Sequence, residues 1–222
     1  MRRTLEPEHL EVAAPADAER NLRDLARINR WFGGHQSLIQ ALRSVVGPRE
    51  RFSVLDVGAA SGDMGDCIRR RFRHASVTSL DHCSFHLRLA HGPRVAADAF
   101  RLPFRAATFD LVLCSSLLHH FPEGRVVELI AGLHPVARRA LILLDLERRR
   151  LAHRFLPWTK ALFGWSELTV RDGSISAAAA FRPGEIAGLA RIAVPGAARA
   201  RRHSPWCRIS VVIPARRRPS GA

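Results

Sequence analysis

The stretch VLDVGAASGDMG, from Val54 to Gly65, predicts a buried strand, a sharp turn and the start of a helix. Phe52 to Val57 is a short apolar run with β-branched residues, which is typical of a central parallel strand. Gly58 allows a tight turn after that strand, and Gly62 allows the following helix to pack close to a ligand. Such a unit presents backbone N–H groups and a helix N-terminus to a nucleoside-like ligand.

The spacing of these glycines excludes two common nucleotide-binding signatures. A dinucleotide fingerprint, G-x-G-x-x-G, would need glycine at Ala60 and at Asp63, so a nicotinamide dehydrogenase is disfavoured. A P-loop would need a Lys-Ser or Lys-Thr pair after its second glycine, where Asp63-Met64 stands. The segment from Asp56 to Gly62 reads D-x-G-x-A-x-G instead.

This pattern resembles motif I of the class I S-adenosylmethionine (SAM) dependent methyltransferases, with Ala60 in place of the usual middle glycine. Three further segments follow in the order that this family requires: VTSLD (77–81), VAADAFRLPF (95–104) and TFDLVLCSSLLHHF (108–121). The last two resemble the small-molecule group that includes the quinone-biosynthesis C-methyltransferases. The resemblance implies an α/β, Rossmann-like class I methyltransferase fold. Its seven-stranded sheet would be mostly parallel, with the last strand antiparallel and helices on both faces.

The same resemblance implies SAM as the cofactor and a set of residues that bind it. Asp81 lies 25 residues after Asp56, where a carboxylate should meet the ribose hydroxyls, and Asp98 would sit beside the adenine amino group. The expected cofactor-binding residues are Asp56, Gly58, Ala60, Gly62, Asp81, His82, Asp98, Ala99, Cys114 and Ser115.

His119 and His120 are the candidate catalytic residues. They follow the fourth predicted strand at its carboxyl end, where open α/β sheets bind ligands. Imidazole has an unperturbed pKa close to neutrality, so either histidine could accept the proton of a phenolic hydroxyl. A purely structural role for either one stays open. Asp145 ends the fifth strand at the same edge, and no cysteine or histidine spacing predicts a metal site.

The flanking segments LRDLARINRWFGG, LLDLERRRLAH and LTVRDGSIS resemble a bacterial subgroup associated with polyketide, phenolic-lipid or quinone-like metabolism. The predicted acceptor is therefore a hydroxyl of a small phenolic, polyketide or quinone-like compound. Two alternatives stay open: an RNA methyltransferase and a non-catalytic partner protein with the same fold. Cys114-Ser115-Ser116-Leu117 stands where amino-directed nucleic-acid enzymes usually carry Asn/Asp-Pro-Pro-Tyr/Phe. The acids at Asp56, Asp81 and Asp98 argue against a degenerate pocket.

Composition supports one α/β domain with a large core. The chain has 222 residues, of which 47% are hydrophobic. A net charge of +15 invites a nucleic-acid partner, but the arginines are scattered, and this partner is disfavoured. The four cysteines show no C-x-x-C pair, the first residues lack an apolar signal core, and no run is long enough to span a membrane. These features predict a cytoplasmic protein of unknown oligomeric state.

The predicted organisation has three parts. Residues 1–47 form an N-terminal helical lid segment, extended up to about Asp17, with helices over 18–32 and 36–46. Residues 48–215 form the methyltransferase domain, with an insert at about 148–180 over the substrate side, and residues 216–222 form a basic tail. The predicted strands lie near 52–57, 76–80, 93–97, 109–113 and 139–145, followed by a closing hairpin.

Overall fold

A seven-stranded sheet organises the chain in the computed structural model, which describes residues 1–196 and 199–215. The strand order is β3-β2-β1-β4-β5-β7-β6, and β7 runs antiparallel to both of its neighbours. The strands are β1 (Phe52–Val57), β2 (Ala75–Asp81), β3 (Arg94–Ala96), β4 (Phe109–Ser115), β5 (Ala137–Leu146), β6 (Arg199–His203) and β7 (Arg208–Pro214). The predicted mostly parallel sheet with an antiparallel last strand is confirmed.

Helices cover both faces of this sheet, as predicted. Alternate residues of β1 serve opposite layers because successive side chains on a strand point to opposite faces. Val54 packs in one buried layer with Leu42 and Ile68, and Leu55 packs in the other with Ile130. The helices are α1 (Pro15–Trp31), α2 (Gly34–Arg43), α3 (Asp63–Arg71), α4 (Glu123–Leu133), α5 (Arg150–Phe163), α6 (Glu167–Ala179) and α7 (Pro183–Ala193).

Of the predicted local features, the N-terminal lead is corrected, the insert gains detail, and the basic tail is not described. The extended lead up to about Asp17 is wrong in its last part, because α1 already begins at Pro15, whose fixed φ suits a first helical position. The polar RDGSIS run belongs to α6, so the insert consists of two helices, the second capped by Ser166, which accepts a hydrogen bond from the Thr169 N–H. The predicted tail at 216–222 lies outside the described residues.

Residues 3–10, called here the N-terminal strap, cross the carboxyl edge of the sheet. The Arg3 guanidinium donates to the carbonyl oxygens of Ala179 (2.6 Å) and Phe121 (2.7 Å). The backbone N–H groups of His9 and Leu10 donate to the Asp172 carboxylate. These bonds tie the strap to α6 and to the segment after β4, so a residue of the strap can reach the site formed at that edge.

The backbone at Ala60 generates a stability prediction. Its φ of +46° lies in the left-handed region, which costs an L-residue about 1–2 kcal/mol. Glycine avoids this cost but loses about 0.5–1 kcal/mol of backbone entropy. We expect Ala60→Gly to raise the free energy of unfolding in urea by about 0.5–1 kcal/mol. Gly58→Ala is the matched control and should lower the free energy of unfolding. At this position φ is +70°, and a Cβ would lie 3.0 Å from a methyl group of Leu117. A loss of stability in Ala60→Gly would contradict the strain at this turn.

Candidate active site

A cavity of about 1210 Å³ opens at the carboxyl ends of the parallel strands. It is larger than the roughly 300–1,000 Å³ of a typical small-molecule pocket, so it has room for two ligands side by side. One part is lined by the turn after β1 and by acids: Asp56, Gly58, Ala60, Asp81 and Asp98. Another part is lined by apolar side chains of α1, of the residue that follows it and of α5: Leu25, Ile28, Phe32, Leu151, Phe155 and Leu156.

The turn after β1 is held by the end of β2. The N–H groups of Gly58 and Ala59 donate to the Leu80 carbonyl at 2.9 and 3.0 Å. The Ala60 N–H donates to Oδ2 of Asp81 at 2.8 Å, and the Cys83 N–H donates to Oδ1 at 2.9 Å. Asp81 is 6% exposed and lines the cavity, so its carboxylate both shapes the turn and presents an acceptor to a ligand.

Two polar atoms of the cavity wall lack a partner. Oδ2 of Asp56 and Oγ of Ser115 are buried, and neither finds a hydrogen-bond partner within the described ranges. Burial, with the nearby acids Asp63 and Asp81, raises the pKa of Asp56 to about 7 despite a hydrogen bond from the Gly65 backbone. A buried acceptor without a donor is costly, so this position suits the positive or N–H-bearing part of a ligand.

Most of the expected cofactor residues line this cavity. Asp56, Gly58, Ala60, Asp81, His82, Asp98, Ala99 and Ser115 are on its wall. Gly62 is not on the wall; it precedes α3, and a Cβ there would lie 2.6 Å from the Cβ of Ala90. Cys114 is fully buried in the layer with Leu55, away from the wall, because it points to the opposite face of β4 from Ser115.

His119 lies on the cavity wall between two carboxylates. Its Nδ1 is 2.7 Å from Oδ1 of Asp145, and its Nε2 is 3.5 Å from Oε1 of Glu8 in the N-terminal strap. Burial alone would lower the pKa of His119, but the charges and hydrogen bonds of Asp145 and Glu8 outweigh it and raise the pKa to about 10. Burial opposes ionisation of Glu8, yet its contacts with His119 and His120 lower its pKa to about 2. His119 is therefore an imidazolium near neutral pH.

His120 completes this group of charges. Its ring stacks on that of His119 at a centroid separation of 4.4 Å, and its Nε2 is 3.9 Å from Oε2 of Glu8. The possible ligand atoms of Glu8, His119 and His120 lie within 4.8 Å of one another, a set that could hold a metal ion. The imidazolium of His119 offsets part of the negative charge of the two carboxylates beside it.

Sequence reasoning missed Glu8. It lies far from His119 along the chain, in a segment without a motif, and only the path of the strap brings the two together. Asp145 was expected at this edge, but its bond to His119 was not.

Residues 54–140 match the family model described as a methyltransferase domain. This match runs from within β1 to the start of β5 and includes the turn, Asp81 and both histidines. Over these residues the chain is similar to methyltransferase domains.

Relatives of this domain agree with that assignment. A demethylmenaquinone methyltransferase of Thermotoga maritima is 32% identical over 79 residues, which cover 33% of this chain and 34% of the relative. The match thus spans about a third of that relative's length.

Solved methyltransferases share the fold. A SAM-dependent methyltransferase of Aquifex aeolicus superposes with a TM-score of 0.61 at 15% identity, covering 90% of this chain and 97% of the other. Human N-acetylserotonin methyltransferase, solved in complex with SAM, gives a TM-score of 0.63 at 14% identity, covering 89% of this chain and 56% of the other. The expected class I methyltransferase fold is confirmed.

The buried acid of the site generates a pH-dependent stability prediction. The pKa of Asp56 is about 7 in the fold and near 3.9 in an unfolded chain, so the folded state binds the extra proton between these values. Ionisation of Asp56 therefore lowers the free energy of unfolding as pH rises from about 4 to 7, and above pH 7 this loss is complete because the carboxyl is ionised in both states. We expect Asp56→Asn to stabilise the protein by about 1–3 kcal/mol in urea unfolding at pH 8 and by clearly less at pH 5. Asp17→Asn, at an exposed position of α1, is the control and should change little. Equal gains at both pH values would contradict the raised pKa.

Proposed function

We propose that this protein is a SAM-dependent methyltransferase that methylates a hydroxyl of a small phenolic, polyketide or quinone-like compound. The observation that carries the proposal is one cavity that joins an acid-lined part to an apolar part, with His119 on its wall. The methyltransferase domain match and the name of the Thermotoga maritima relative support the reaction type and the acceptor class.

The acid-lined part suits SAM. Oδ2 of Asp56 would accept from the ammonium group of the methionine part, Asp81 would take the ribose hydroxyls, and Asp98 would meet the adenine amino group. The unpartnered Asp56 oxygen fits such a cation, because a positive charge there would relieve the burial of the carboxylate. When bound, SAM supplies a methyl group already activated by its sulfonium centre.

The apolar part suits an aromatic acceptor. Phe32 and Phe155 meet edge to face with their ring centroids 4.6 Å apart, and Leu25 and Leu156 line the same region. A flat apolar ring would bury its faces against these side chains while its hydroxyl points to the methyl donor. Holding the two reactants in line supplies the largest part of the rate acceleration for such a transfer. Because residues 1–47 contribute Leu25 and Phe32 to the wall, we extend the proposal to a lid role for that segment.

We assign to His119 the role of accepting the hydroxyl proton of the methyl acceptor. Asp145 orients its ring through Nδ1, which leaves Nε2 as the atom that can exchange a proton with a ligand. In the resting structure Glu8 faces Nε2 and favours the protonated ring. Only the neutral ring can accept the acceptor's proton, so this role becomes stronger as pH rises. His120 beside it is the second candidate.

The cofactor assignment predicts a binding defect in Asp81→Ala. Loss of charge-assisted hydrogen bonds costs about 1.5–3 kcal/mol per interaction, so the affinity for SAM should fall at least about tenfold in calorimetry. Asp66→Ala, which removes an acid of α3 that is not on the cavity wall, is the matched control and should keep the affinity of the original chain. Unchanged affinity in a folded Asp81→Ala variant, or binding of NAD in place of SAM, would refute the assignment.

The proposed class of methyl acceptor is tested by identifying the methylated products. Mass spectrometry of reactions with isotopically labelled SAM and a panel of phenols and quinols should show a labelled methyl group on a hydroxyl oxygen. Transfer to RNA, with none to the panel, would favour the nucleic-acid alternative.

The proton assignment predicts a pH profile. Because the pKa of His119 is about 10, turnover should rise with pH and level off near that value. Glu8→Gln removes one of the two carboxylates that raise this pKa, so its profile should shift to lower pH. His119→Asn should lower turnover by about 10²–10⁴-fold and remove this limb of the profile, with SAM affinity retained. If His120→Asn removes the limb and His119→Asn does not, His120 is the base.

A further inference from the structure

The outward face of α5 is apolar, which is unusual for the exposed side of a helix. Leu151, Trp158 and Leu162 are 52%, 68% and 78% exposed. They are spaced by seven and four residues, so they lie along one side of the helix. Ala161, close to the same side, is also exposed. The inward side carries Leu156, which is buried against α1 and α6.

A further large exposed side chain stands at the end of α1, beside the C-terminal end of α5. Trp31 is 46% exposed, and its ring centroid is 6.1 Å from that of Phe163, the residue that follows Leu162. We call Leu151, Trp158, Leu162 and Trp31 the α5 face. Exposed large side chains that are contiguous, rather than scattered, mark an interaction surface.

Positive charge surrounds the α5 face. Arg149, Arg150 and Arg154 are exposed at the N-terminal half of the helix, and the guanidinium of Arg154 lies 5.8 Å from the centroid of the Trp158 ring. The helix contains no Asp or Glu, and Lys160 pairs with Glu167 of α6. Tryptophan and leucine flanked by arginine match the interface of an anionic bilayer, where rings and aliphatic chains enter the headgroup region and cations meet lipid phosphates.

The same helix forms part of the cavity wall. Leu151, Ala152, Phe155 and Leu156 line the apolar part of the cavity, and Leu151 also belongs to the α5 face. A surface bound to the α5 face would thus lie beside the acceptor part of the cavity.

We propose that the α5 face binds the surface of an anionic lipid bilayer. The charge around the face favours a bilayer over a second copy of this chain, since two copies would bring like charges together. None of the helices in the described part of the chain is long and apolar enough to cross a membrane. The binding is therefore interfacial, through one side of α5. Under the proposed function, this docking presents the cavity to acceptors dissolved in the bilayer; the docking itself does not depend on that function.

Vesicle sedimentation tests the proposal with the full chain. We expect binding to vesicles of phosphatidylcholine with phosphatidylglycerol, weaker binding to phosphatidylcholine alone, and a loss of binding as salt is raised. The double variant Trp158→Ala/Leu162→Ala should bind anionic vesicles at least about tenfold more weakly, because it removes most of the buried apolar area. Arg150→Glu/Arg154→Glu should lose the preference for anionic vesicles. Ile192→Ala, at a 69% exposed position of α7, is the matched control and should bind as the original chain does.

Tryptophan fluorescence provides a second readout. Emission should shift to shorter wavelength on addition of anionic vesicles, and Trp158→Phe should remove most of the shift. Absence of vesicle binding at low salt, or binding unchanged in the Trp158→Ala/Leu162→Ala variant, would overturn the proposal. So would concentration-dependent dimerisation that this variant abolishes, since a second copy would then cover the face. Calorimetry with SAM on the same variant separates the two proposals, because docking can fail while SAM still binds.

Discussion

The hydrogen bonds between the turn after β1 and the end of β2 are the constraint on which the site depends. The Leu80 carbonyl receives two N–H groups of the turn, and the Asp81 carboxylate receives a third at Ala60. These bonds hold the backbone in left-handed conformations at Gly58, where glycine adopts them readily, and at Ala60, where an L-residue would otherwise avoid them. The turn leads into α3, which packs against the sheet through Ile68, and leaves the cavity above the strand ends. Without these hydrogen bonds, the acids at the ends of β1 and β2 would not face the same cavity.

The two parts of that cavity differ in charge, and this difference suits two different ligands. Asp56 is buried near other acids, and its burial raises its pKa despite the opposing charge of Arg69. His119 is buried with two carboxylates, and its pKa is raised as well, for the opposite reason. The first position gains from a positively charged ligand, whereas the second holds a proton near the apolar part. The same surroundings could not both attract a cationic ligand and hold a proton. The two functions are possible because Asp56 lies on β1 and His119 lies after β4, so each has its own surroundings.

Helix α5 links the interior of the cavity to the outer surface. One side of the helix places Phe155 and Leu156 on the cavity wall, and another side exposes Trp158 and Leu162. A helix that is apolar on both sides is expected where it lies between two apolar environments. The cavity supplies one such environment, and the proposed bilayer supplies the other. This pattern explains why a helix with little buried surface retains so many large apolar residues.

The sequence by itself determined the features that depend on neighbours along the chain. The strand, turn and helix around Gly58 follow from local periodicity and glycine placement, and the repeated alternation of strands and helices predicted the sheet and the edge at which ligands bind. The placement of Asp56, Asp81, Asp98 and Ser115 on the cavity wall followed from their positions at strand ends. The side chain of Cys114 lies away from this wall, since a shift of one residue along a strand reverses the face.

Tertiary structure alone decided the surroundings of His119. Its partner Asp145 comes from a neighbouring strand, and Glu8 comes from a strap whose path depends on bonds to α6. No local pattern encodes such contacts, because they arise only after distant segments have packed. The pKa of a buried group depends on those same distant charges, so the protonation of this histidine could not be read from the chain. Local sequence thus specified where the site would form, and long-range packing specified the charges that meet there.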